Sequence, residues 1–207
     1  MAVTTTQLGL WRRSNVPKRQ ADKVKQITND SLSKDWTLLH DRLLKQIRNT
    51  GRLLIFTGGR GCGKTQMAVS IIAHRCLDEV ACKYCTASDM YRKLRSTFED
   101  DSTLNYDREM DRLCGKNREE PIDLLVIDEI HESKRSEWES HRMTEIVDAR
   151  YARSLSTILI TNEKPEEALE MLGESIKDRT WESGSVIPFR WGSFRKQLRE
   201  ANENENV

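Results

Sequence analysis

Along this chain the hydrophobic pattern switches repeatedly between two periods, that of a fully buried strand and that of an amphipathic helix. The run 53-LLIF-56 is continuously apolar, as a strand covered on both faces requires, and predicts a strand over Arg52–Thr57. From Lys64 to Leu77 the apolar positions Met67, Ala68, Ile71, Ile72 and Cys76 recur at helical spacing. The same criteria predict strands over Val80–Ala87, Asp123–Asp128, Thr157–Thr161 and Ser185–Arg190. They predict helices over Ser88–Phe98, up to about Leu113, over Ser136–Ala152, Glu166–Leu172 and Glu174–Trp181, and over Ser193–Ala201. On the Ser136–Ala152 helix, Met143, Ile146, Val147 and Tyr151 are expected inward. Ahead of the first strand, Trp36, Leu39, Leu43 and Ile47 form one stripe that Ser33 or Asp35 would cap and Gly51 would stop. Residues 1–30 carry few apolar positions and no clear period, so an extended arm is expected there, with a short helix around Gln20–Ile27. The 202-NENEN-206 tail reads as disordered.

Strands alternating with helices mean an α/β protein with a mostly parallel sheet, helices on both faces and right-handed crossovers. Five strands are expected, in a three-layer αβα sandwich. Pro188 has no N–H to give a ladder, which puts the fifth strand at an edge. The expected division is a basic arm over 1–30, one α/β domain over 31–201 and a tail over 202–207; 207 residues suffice for one such domain and not for two.

The segment 58-GGRGCGKT-65 falls between the first strand and the following helix, and it fits G-x-x-x-x-G-K-S/T in its proper context. Glycines there let backbone N–H groups curl around phosphates, and the helix N-terminus adds a favourable dipole. The loop Gly58, Gly59, Arg60, Gly61, Cys62, Gly63, Lys64, Thr65 and Gln66 is therefore the expected nucleotide site. Lys64 would neutralise the β- and γ-phosphates, and Thr65 would offer a hydroxyl to Mg²⁺. Asp128 ends an apolar strand, where the second carboxylate for that metal belongs. Glu129 follows it and suits polarising a water for attack on the γ-phosphate, or is an ordinary exposed acid. Between Lys64 and Asp128 there is room for a helix, a strand and a helix, the pattern of the P-loop class with an added strand between the nucleotide strand and the Asp-Glu strand. Asn162, closing the fourth strand, would then emerge near Asp128, either to hold a water or to form the turn before 164-KP-165. Arg179 and Arg195 are candidates for stabilising transition-state charge, the first in a neighbouring subunit and the second in its own.

Composition adds limits. Hydrophobic residues are 37% and charged residues 32%, which suits a globular protein with a heavily charged surface. No apolar run approaches a membrane span, and the N-terminus lacks the apolar core of a secretory signal, so no membrane partner and a cytoplasmic location are expected. Net charge is +1, but residues 1–50 hold ten Lys/Arg against four Asp. Such an arm suits nucleic acid and equally suits a solvated terminus. The five cysteines have no repeating spacing and are expected to be small buried side chains; His74 is expected to be packed within its helix.

The chain resembles the DnaC/IstB family of AAA+ ATPases: the bacterial and phage DnaC helicase loaders and the IstB transposition ATPase. The resemblance is carried by 58-GGRGCGKT-65, 86-TASDMYRKLRSTF-98, 124-LLVIDEI-130, 146-IVDARY-151, 161-TN-162, 172-LGESIKDR-179 and 191-WGSFR-195. It implies an AAA+ (ASCE) P-loop ATPase using ATP and Mg²⁺, with Lys64 and Thr65 in Walker A and Asp128 and Glu129 in Walker B. It further implies Asn162 as first sensor, Arg179 as arginine finger and Arg195 as second sensor. The implied partners are a DnaB-type replicative helicase and single-stranded DNA, held by a homo-oligomer in a ring or spiral in a bacterial or phage-infected cell. Arg92, Lys93 and Arg95 would then meet phosphates, and Tyr91 and Phe98 could stack on bases. Two departures stand out. The short arm, with Leu8, Leu10 and Trp11 before 12-RR-13, is the expected helicase-binding element in place of a full domain, and no helical lid is expected after Arg195. The alternatives are an IstB-like regulator acting on duplex DNA and a non-hydrolysing helicase-binding inhibitor.

Overall fold

A computed structural model describes residues 3–24, 34–48, 51–99, 103–130 and 136–196. The strands are β1 Leu53–Thr57, β2 Cys82–Thr86, β3 Leu124–Asp128, β4 Ser156–Ile160 and β5 Gly184–Pro188. The helices are α1 Thr5–Arg13, α2 Lys18–Val24, α3 Lys34–Ile47, α4 Lys64–Leu77, α5 Ala87–Glu99, α6 Thr103–Leu113, α7 Glu137–Ala152, α8 Pro165–Leu172 and α9 Glu174–Ser183. The strands form one sheet in the order β2-β3-β4-β1-β5, and every pairing is parallel. β4 lies between β1 and β3, the inserted strand expected from the spacing of Lys64 and Asp128. Among the described residues β5 pairs only with β1, so Pro188 is at an edge as expected.

Alternation along the buried strands divides the core in two. Leu54, Phe56, Val126, Ile158 and Ile160 face α3 and α4. Leu53, Ile55, Leu125, Ile127 and Leu159 face α5 to α9. This is the three-layer αβα sandwich. Among the described residues no helix is long and apolar enough to cross a membrane.

The N-terminal segment departs from expectation. Residues 5–13 are helical, not extended, because Thr4 and Gln7 form a reciprocal cap: Gln7 N–H donates to Thr4 Oγ1 (3.2 Å) and Thr4 N–H to Gln7 Oε1 (2.8 Å). Leu10, Trp11, Val16 and Val24 lie against the α4 side of the core. Ser33, the end of the helix expected to Ile27, the helix end at Ala201 and the tail 202–207 lie outside the described residues.

Two inward expectations on the helices also change. On α7 the buried residues include Arg150, where Tyr151 was expected; Tyr151 is half-buried. His74 is exposed, with its ring 5.4 Å from buried His40. Cys62, Cys76, Cys82 and Cys114 are buried.

Candidate nucleotide site

The glycine loop joins β1 to α4, and its shape depends on residues that only glycine can supply. Gly61 and Gly63 have φ of 82° and 89°, which L side chains rarely adopt. A Cβ on Gly63 would press on Trp36 Nε1 at 3.1 Å and the Phe194 ring at 3.3 Å, and one on Gly61 would overlap Ser193. The closing segment 191–195 clasps the loop: Trp191 Nε1 donates to Cys62 O (2.7 Å) and Phe194 N–H to Gly61 O (3.0 Å). Arg195 is brought beside the same loop, and its charge is one of those acting on Lys64.

Lys64 is 6% exposed. Its Nζ donates to Gly58 O (2.6 Å), Gly59 O (2.9 Å) and Asn162 Oδ1 (2.9 Å). Burial, more than any neighbouring charge, holds its pKa below the ordinary lysine value. Asn162, which follows β4, thus reaches the lysine of the loop. Thr65 Oγ1 donates to Asp128 Oδ2 at 2.7 Å. Asp128 Oδ1 accepts the Glu129 N–H at 2.7 Å. Glu129 itself is exposed and has a left-handed φ of 57°, uncommon for a residue with a side chain. A hydroxyl and a carboxylate side by side are the hard oxygen donors that Mg²⁺ takes.

Tyr84 was missed in the sequence, where its strand read as a run of small thiols. Its hydroxyl donates to Asp128 Oδ2 at 2.8 Å. Burial first, and then Asp128, push the phenol pKa far up, so it remains a donor. The signal lay in the register: Thr86 pairs with Asp128, so Tyr84 stands two residues back on the same face of the sheet.

Arg179 is on α9, away from the loop's partners just described. Its Nε lies 3.5 Å from Asp148 Oδ1, and its guanidinium lies 4.7 Å over the Tyr151 ring. Asp148 also accepts from Ser175 Oγ at 2.9 and 3.0 Å. Three residues of 146-IVDARY-151 are thereby accounted for: Asp148 and Tyr151 hold Arg179, and Arg150 is fully buried.

The three basic residues expected at phosphates sit on α5, each beside an acid. Arg92 pairs with Asp89, Lys93 with Glu109 at 2.7 Å, and Arg95 with Glu139 at 2.5 Å. All three remain more than half exposed. Tyr91, by contrast, is 2% exposed, with its hydroxyl on Glu139 O and its ring edge-on to Trp138, so it has no face to offer a base. The Phe98 side chain lies outside the described residues.

Comparison with known proteins bears on the family and the fold. A family model described as "IstB-like ATP binding protein" matches residues 33–202. The replicative helicase loader DnaC of Escherichia coli (strain K12) is 30% identical over 145 residues, 70% of this chain and 56% of that protein. The chain thus spans little more than half the length of the curated relatives it matches. A crystal structure of the DnaC helicase loader superposes on 83% of this chain and 99% of its own, with a TM-score of 0.65 at 20% identity. The replication initiator DnaA bound to AMPPCP and single-stranded DNA superposes on 93% of this chain and 57% of its own, with a TM-score of 0.66 at 14% identity. At such identities the two structures speak for the fold alone, the three-layer α/β sandwich described above.

Proposed function

The chain belongs to the IstB-like ATP-binding protein family, and from that premise we propose that it is a Mg²⁺-dependent ATPase that acts as an oligomer on single-stranded DNA to deliver a DnaB-type replicative helicase. The observation that carries the ATPase reading is the convergence of four side chains from three elements. Lys64 meets Asn162 at 2.9 Å, and Thr65 meets Asp128 at 2.7 Å. Lys64 and the loop amides would bind the phosphates. Thr65 and Asp128 would hold Mg²⁺, which supplies charge neutralisation on the transferring phosphoryl group. Glu129 would accept a proton from the attacking water, and Asn162 would orient that water. Arg195 would stabilise charge from within the subunit.

Arg179 supports the oligomeric part of the reading. Asp148 and Tyr151 present it on a surface helix, as a residue serving a neighbour's nucleotide would be presented. The loader reading rests on the similarity to DnaC. For DNA, the phosphates would have to draw Arg92, Lys93 and Arg95 from their acids. Only the Arg92–Asp89 pair is exposed on both sides and of the kind that holds about 0–1 kcal/mol, so a polyanion can outcompete it; Glu109 and Glu139 are largely buried and hold Lys93 and Arg95 more firmly.

The IstB-like description of the matching model favours a second reading, a regulator of transposition on duplex DNA. Capture of the host's ring helicase, with ATP and Mg²⁺ present, separates the two. Capture by the wild type and its loss in Lys64→Ala supports the loader. No capture, together with a preference for duplex over single strands, would transfer the protein to the second reading. Capture with no ATP turnover would make it a helicase-binding inhibitor.

A further inference from the structure

Tyr84 occupies an unusual junction. Its hydroxyl donates to Asp128 Oδ2, the same oxygen that accepts from Thr65. With the Glu129 N–H on Oδ1, the carboxylate is held by three hydrogen bonds and has no freedom to rotate. Tyr84 is the only one of the three donors on β2, the strand at the edge of the sheet. On that open side its main chain is met by the segment after α1: Tyr84 N–H donates to Ser14 O at 2.8 Å, and Asn15 Nδ2 approaches Tyr84 O at 3.5 Å. Ser14 is completely buried, and Asn15 takes the left-handed φ of 59° that turns the chain there. One residue therefore carries the N-terminal segment on its backbone and the Walker B carboxylate on its side chain.

We infer that Tyr84 is a positioning residue that holds Asp128 for the metal and ties the N-terminal segment to the nucleotide site. The inference rests on the reading of Asp128 as a metal carboxylate. A carboxylate fixed by an outer donor binds its cation without first paying to be oriented, and loss of such donors typically costs about 10-fold or more in metal affinity. Through the Ser14–Tyr84 bond the effect runs both ways. Whatever engages residues 5–15 acts on the geometry of Asp128, and metal-bound nucleotide steadies the segment.

The test is the affinity of the full chain for a non-hydrolysable ATP analogue, in Mg²⁺ and in EDTA. Tyr84→Phe, which keeps the ring and removes the hydroxyl, should weaken binding in Mg²⁺ by about 10-fold. It should leave binding in EDTA unchanged, and in an Asp128→Asn background it should change nothing. An unaltered ratio of the two affinities in Tyr84→Phe would overturn the inference. A wild type indifferent to Mg²⁺ would instead overturn the metal reading beneath it. Hydrogen exchange on the wild type gives an independent readout. The Mg²⁺–analogue complex should protect the Tyr84 amide and residues 8–14 more than the analogue in EDTA does; equal exchange would overturn the link to the N-terminal segment.

Discussion

The Thr65 hydroxyl and the Asp128 carboxylate stand 2.7 Å apart, although 63 positions separate them in the chain. The sheet order produces this contact. β1 feeds the loop that starts α4, while β3 ends two strands away with β4 between them. The two residues meet across the C-terminal edge of the sheet, where open α/β sheets place their ligands. Glu129 then leaves Asp128 in a left-handed turn that sends it out to solvent.

That position makes Glu129 the expected base. Glu129→Gln should bind ATP with wild-type affinity and lose about 10²–10⁴-fold in turnover. Nucleotide binding by fluorescence, beside a phosphate-release assay, checks both halves. Full turnover in the variant would return Glu129 to an ordinary exposed acid.

For DNA, Lys93→Ala and Arg95→Ala should each weaken single-strand binding and lower the salt slope of log K by roughly 0.7 for each phosphate no longer neutralised. A titration at several salt concentrations reads this directly. Unchanged slopes in both variants would leave α5 as a solvated face whose cations serve Glu109 and Glu139.

Arg150 governs stability, not chemistry. Its guanidinium donates to Leu113 O, Ile122 O, Asp123 O, Ser156 O and Thr157 Oγ1 at 2.8–3.2 Å, with no carboxylate in the set. Burial lowers its pKa to about 10, still charged at neutral pH. Arg150→Met would remove the guanidinium from the buried carbonyls of Leu113 and Ile122, while Asp123 O would keep the Ser156 N–H. It should cost about 3 kcal/mol or more, a fall in Tm of roughly 10 °C by calorimetry.

His40 sets a pH limit. Its ring stacks on Trp36 at 5.2 Å and bonds Ser70 Oγ at 2.9 Å. Burial, and then His74, hold its pKa below the ordinary value of 6.5, with Asp41 pulling the other way. The unfolded chain therefore takes up this proton at a higher pH than the folded one. Its contribution to stability is complete above about pH 6.5 and is lost as pH falls from there towards the lowered folded value. Tm measured between about pH 7 and pH 5 should decline, and His40→Gln should flatten the decline.

Much of the site was legible because it depends on local pattern. The loop at Gly58–Thr65, the apolar strand ending in Asp128 and the Pro188 edge each follow from a few adjacent residues. Asn162 needed one further step, the inserted strand. What stayed hidden depends on register or tertiary contact. Tyr84 matters only because Thr86 pairs with Asp128. Arg150 carried no signal of its own, since no period marks a guanidinium that will meet five oxygens. α1 escaped because its stability comes from the Thr4–Gln7 cap and from packing, not from an apolar stripe.

If a neighbour's Arg179 completes the ATPase site, two variants that are each inactive should rescue one another when mixed. Lys64→Ala removes phosphate binding in its own subunit, and Arg179→Ala removes the finger offered to the next. Each alone should be nearly inactive, with the finger worth about 10³–10⁵ in rate. Mixed, they should recover turnover well above either, because some interfaces pair an intact loop with an intact Arg179. A mixture as inactive as its components, or an Arg179→Ala protein with full activity by itself, would contradict the account.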